Sequence, residues 1–160
     1  MSLAARGVAR AAAPLMATLL LLDGCGGSGS SAKKADPDEA GLGKAADRST
    51  CVADAKKLAS YPTAFPKTFV FPPRTVLYDA QDRGAQGVVV TGVTDLPFKQ
   101  VLAALNGPTQ AAGFKVTSGE TEAHDAEANW TGNGFRGRWA IRESSTCPGE
   151  TVVQVLSTNQ

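Results

Sequence analysis

The dipeptide Asn133-Gly134 stands between two alternating runs in "DAEANWTGNGFRGRWAIRE". A type I′ turn needs positive φ at both central residues, which Asn and Gly tolerate, and its twist matches that of two paired strands. A two-residue loop leaves the register no freedom: Trp130 faces Gly137, Ala128 faces Trp139, and Ala126 faces Ile141. These six residues form one apolar face on which large side chains meet small ones. On the other face Thr131 meets Arg136, Asn129 meets Arg138, and Asp125 meets Arg142. Opposite charges facing each other across strands add about 0.2–1 kcal/mol per pair. One register satisfies both faces, so the rest of the chain must be accommodated to an antiparallel sheet.

Further strands are predicted in "RTVLYDAQD" and "GVVVTGVTD", joined by "RGAQG" as a hairpin turn, and in "FKVTSGETE" and "ETVVQVLST". Between the second and third, Asp95 is expected to cap a helix with Pro97 in its first turn. Phe98, Val101, Leu102 and Leu105 recur there at helical spacing. Asn106-Gly107-Pro108 should break or kink this helix, a short turn should resume through Ala112, and Gly113 suits the stop. Upstream, "STCVADAKKLASYP" offers a Ser or Thr cap and a stripe of Val52, Ala55, Leu58 and Ala59, so a helix is expected that ends at Pro62. "PTAFPKTFVFPPRT" reads as an extended connector because of its prolines. Its Phe65, Phe69 and Phe71 either cover the edge of the core or form an exposed apolar patch that binds a ligand or partner. The expected fold is α+β over residues 48–160: an antiparallel sheet of about five to six strands with one or two helices covering one face.

The N-terminus carries an address. "MSLAARGVAR" has Arg6 and Arg10 and no acid, and "AAAPLMATLLLL" follows. That apolar run is shorter than the roughly 20 residues that span a bilayer. A cationic start, a short apolar core and a small residue before the cut make a secretory signal over residues 1–24. The stretch Leu22-Asp23-Gly24-Cys25 resembles the lipobox of bacterial lipoproteins, with Asp23 standing where that pattern usually has a small or β-branched neutral residue. The resemblance covers residues 1–25 only. It implies that the Cys25 thiol receives a diacylglyceryl group, that cleavage follows Gly24, and that acyl chains such as palmitate anchor the product. Each buried CH₂ contributes ~0.8 kcal/mol, so two or more chains hold a protein stably. The implied location is the cell membrane or outer membrane, facing the extracytoplasmic side. Ordinary secretion, or an uncleaved anchor, is the alternative.

The chain has three cysteines. With Cys25 acylated, as the resemblance implies, Cys51 and Cys147 remain, and an oxidising envelope favours joining them. Their loop of about 95 residues gives roughly 4–5 kcal/mol in the chain-entropy picture. Two buried free thiols are the other reading. Residues 25–47 are expected to form a lipidated cysteine followed by a flexible tether, because after Cys25 only Leu42 is a large apolar residue.

With 16 basic and 15 acidic residues the net charge is +1, which gives no general attraction for nucleic acid. His124 is the only histidine. On an extended strand it would share one side with Glu120 and Glu122, a set able to hold a divalent metal. A solvated strand end balanced by nearby arginines is the plainer reading. Arg136, Arg138 and Arg142 either pair with the neighbouring acids or meet an anionic ligand. Cys-x-x-Cys, the nucleophile elbow and the phosphate-binding loop are all missing, and nothing in the sequence calls for a cofactor. The expected function is a lipid-anchored, non-enzymatic envelope module that binds a protein or a small hydrophobic ligand. An envelope enzyme, metal-assisted and built on the acidic strand around His124, is one alternative. A structural or assembly factor is another.

Overall fold

The computed structural model describes residues 50–160, so the signal, the lipobox and the tether expected over residues 1–47 lie outside the described residues. The strands are β1 (Val76–Asp82), β2 (Val88–Thr94), β3 (Lys115–Thr121), β4 (Asp125–Gly132), β5 (Phe135–Glu143) and β6 (Thr151–Asn159). They form one sheet in the order β1-β2-β6-β5-β4-β3, with every neighbouring pair antiparallel. The chain leaves β2, crosses through α1 (Phe98–Ala104) to β3 at the far edge, and returns by hairpins until β6 pairs with β2. This is the expected α+β fold.

The β4–β5 hairpin has the register read from its turn, with Trp130 opposite Gly137, Ala128 opposite Trp139, and Asp125 opposite Arg142. Asn133 and Gly134 have φ of 52° and 80°, as a type I′ turn demands. The small partner of each large residue matters here. A Cβ at Gly137 would lie 2.6 Å from Trp130 Cζ2 and would run into the Leu156 carbonyl. The indole therefore occupies space that only glycine leaves.

The apolar face of the sheet carries Val88, Val90, Val153, Val155, Trp139, Ile141 and Trp130. Phe98, Val101 and Leu105 of the helical segment pack on it, with Phe65 and Phe69 from the proline-rich connector. At about 1.5–3 kcal/mol for each fully buried large side chain, this face is the main source of stability.

Two local expectations are corrected and a third is borne out. No helix forms over residues 50–62, the described part of the stretch expected to be helical. The described part makes one turn, in which the Ala55 amide donates to the Cys51 carbonyl at 2.9 Å, and then runs extended. Isolated short helices are marginal in water, and this one has competitors. The Val52 amide donates to the Glu150 carboxylate at 2.8 Å, and the Leu58 amide donates to the Leu77 carbonyl on the free edge of β1. Asp95 does not cap α1. Pro97 occupies the cap position, and the Asp95 carboxylate pairs with Arg74 at 3.0 Å. Asn106-Gly107-Pro108 does interrupt the regular helix, as expected, with the chain resuming a turn through Ala112. The chain widens into a π turn, Leu105–Thr109, and the Ala112 amide then donates to the Pro108 carbonyl. A wider turn accommodates a residue that has no N–H to donate. Thr109 fastens it by donating its hydroxyl to the Val70 carbonyl at 2.7 Å.

The chain has two tyrosines. Burial pushes the Tyr61 phenol up to about 12. The Tyr78 phenol is also raised, first by burial and then by the nearby Asp79 charge, with an opposing contribution from the Thr50 backbone. Both groups favour the protonated form in the fold. Their contribution to stability is complete below the ordinary phenol pKa of about 10 and is lost as pH rises through the folded value. Phenolate absorbance should therefore develop late in the native protein, with Tyr61 near 12, and near 10 in denaturant. Coincident native and denatured titration curves would contradict the burial of both rings.

Candidate functional site

On the sheet face turned away from α1, strand pairing sets side chains in transverse rows. One row runs Val89, Leu156, Arg138, Asn129 across β2, β6, β5 and β4. The next, toward the β4–β5 turn, runs Thr158, Arg136, Thr131, Lys115 across β6, β5, β4 and β3. Gly87 closes this second row on the β2 side, since a Cβ there would run into Thr158 Cγ2. The Arg83 amide donates to the Gly87 carbonyl at 2.8 Å, which brings Arg83 to the same end of the sheet. The acids of this face stand further along the strands: Glu120 opposite Glu127, Asp79 opposite Thr91, and Asp125 opposite Arg142.

A cavity of about 430 Å³ opens over the two rows. Val89 and Leu156 give it apolar lining, Thr131 and Thr158 give hydroxyls, and Arg83, Arg136 and Arg138 give positive charge. This volume falls within the usual range of small-molecule sites. The three cations differ. Arg138 is ion-paired with Glu127, and the side chains are only 16% and 28% exposed, so this pair belongs to the wall of the cavity. Arg83 is exposed and donates to the Gln81 side-chain carbonyl at 3.3 Å. Arg136 is exposed, and among the described residues no carboxylate lies within ion-pair distance of it.

The expected site residues are thus divided. Arg136 and Arg138 line the cavity. Arg142 does not, and its guanidinium meets Asp125 at 3.4 Å near the opposite end of the strand. Phe65 and Phe69 are buried at 1% and 5% exposure, and Phe71 is half-buried against them. Phe65 stacks on Phe71 at 5.8 Å between ring centres, and Phe69 lies 5.2 Å from Phe114 and 5.3 Å from Trp130. They are core residues, not an exposed binding patch. Glu120, Glu122 and His124 do not assemble. The chain reverses at residues 122–124, where the Glu122 amide donates to the Asp125 carbonyl, so His124 sits in a turn and not on an extended strand. Its exposed imidazole Nδ1 lies 2.7 Å from Glu143 Oε2 instead. Among the described residues, the group of three side chains able to approach one metal ion is Cys51, Cys147 and Glu150. The two sulfurs of that group are already joined in a disulfide with a Cα–Cα distance of 5.7 Å.

Arg83, Val89, Leu156 and Thr158 are cavity residues that the sequence reading did not single out. The pairing of β2 with β6 is what brings them together, and those strands are far apart in the chain. Val88, Val89 and Val90 are alike, and Val155 and Leu156 are both apolar, so side-chain character gives no local signal that Val89 and Leu156 face the other side of the sheet; strand register places them there. The chain matches no protein-family model, no curated protein and no solved structure.

Proposed function

We propose that this chain is a lipid-anchored envelope protein whose folded domain binds a small molecule without transforming it. The observation that carries the location is the Cys51–Cys147 disulfide, which uses two of the three cysteines. It suits an oxidising compartment, and it leaves Cys25 as the thiol available for acylation after Leu22, Asp23 and Gly24. The binding role is supported by the cavity on the outer sheet face. Its walls are fixed by strand pairing, so the site exists before a ligand arrives. With Phe65 and Phe69 committed to the core, the connector offers no broad aromatic surface to an assembly partner.

Mass spectrometry of the membrane fraction tests the anchor. The expected species begins at Cys25 and carries diacylglyceryl and further acyl mass, and Cys25→Ser should leave an unprocessed, unacylated chain. A membrane-fraction protein with an unmodified Cys25 thiol would overturn the reading.

A further inference from the structure

We propose that the cavity between the β1–β2 and β4–β5 turns binds a small organic oxyanion, with the anionic head at Arg136 and Arg83 and an apolar or planar body over Val89 and Leu156. This rests on the binding-module reading above and gives it a ligand class. Three observations support it.

The first is the distribution of charge along the strands. The row nearest the turns holds Arg136 and Lys115, with Arg83 at its end, and no acid of the sheet belongs to it. Glu127, in the same sheet face as the cavity, is ion-paired with Arg138. A ligand entering over Val89 and Leu156 therefore meets Arg136 and Arg83, with which no carboxylate among the described residues forms an ion pair.

The second is space. Gly87 and Arg136 are separated by one intervening strand, a gap of about 10 Å. That gap holds one short side chain, Thr158. Gly87 has a φ of 97°, which favours glycine, and Thr158 Cγ2 takes the place a Cβ there would need, so the β2 end adds no side chain of its own. The third is the mixed lining. Arginine presents planar paired donors that match a phosphate or carboxylate, whereas Val89 and Leu156 have no use for a bare hydrated ion. The combination selects an anion that carries carbon.

Phenyl phosphate is a suitable probe, titrated into the full chain in neutral detergent micelles and followed by amide chemical shifts. Saturable shifts are expected at residues 83–89, 136–138 and 156–158, with half-saturation below about 10 mM. Inorganic phosphate should bind more weakly, and benzyl alcohol should not saturate. Arg136→Gln is at the surface and leaves the core untouched; it should weaken phenyl phosphate about tenfold. Arg142→Gln, outside the cavity, should leave the affinity unchanged. Micelles doped with phosphatidylglycerol separate the two natural sources of such an anion. Competition with phenyl phosphate identifies a lipid headgroup, and its absence identifies a free solute. The proposal is overturned if phenyl phosphate gives no saturable shift, if benzyl alcohol shifts the same amides equally, or if Arg136→Gln binds like the parent. Failure here with an acylated Cys25 would leave the envelope reading standing. A bare Cys25 thiol with intact probe binding would overturn the envelope reading alone.

Discussion

The double variant Cys51→Ser/Cys147→Ser should unfold at a much lower urea concentration than the parent, losing up to about 4–5 kcal/mol of stability. The bond closes a loop with a sequence separation of 96. Most of its effect is to restrict the unfolded chain, so the variant should keep the parent's native spectrum while its unfolded state expands. The native geometry has other supports at this point. The Val52 amide still reaches Glu150, and the Cys147 amide still donates to Ser144 Oγ at 3.0 Å. A loss below about 1 kcal/mol would mean that the unfolded chain already holds these segments close. The bond also has a mechanical consequence under the proposed anchorage. Load arriving from the tether enters the described fold at Cys51 and passes directly to the start of β6. It does not have to travel through residues 52–75, which are held largely by aromatic packing.

What could be read from the sequence was what short-range geometry dictates. Asn133-Gly134 fixed eight cross-strand pairs because a two-residue turn admits one register. The strands around it were visible by their alternation. The stretch after Ser49 misled because Val52, Ala55 and Leu58 fall at helical spacing, whereas the outcome was decided by partners far along the chain: Glu150, Leu77 and Cys147. Period-two alternation puts His124 on a strand only if it is continued past residues 122–124, where the hairpin reverses. The cavity was half visible. Arg136 and Arg138 stood out as a row, but Arg83 joins them only through the pairing of β1 with β2 and of β2 with β6. No local pattern encodes that last contact, since β2 and β6 are separated by the helix and three strands.

Phe69→Ala should cost about 3–5 kcal/mol, the range for emptying a buried aromatic site. Phe69 is the ring on which two halves of the core meet. It touches Phe65 and Phe71 within the connector, and Phe114 and Trp130 on the sheet side, all with ring centres between 5.0 and 5.7 Å. The sheet-side pair cannot easily collapse into the space. Trp130 is held over Gly137, and Phe114 follows Gly113, whose φ of 95° fixes the entry into β3. A persistent void is therefore expected, and it raises the cost. Phe69→Leu, which keeps much of the volume, should lose clearly less. The substitution also separates the core role from a ligand role, because Phe69 lies against the apolar face and the proposed cleft lies on the other. In the fraction that remains folded, phenyl phosphate should bind to Phe69→Ala as it does to the parent. A stability loss under about 1 kcal/mol, with weakened probe binding, would return the connector aromatics to the ligand site and remove them from the core.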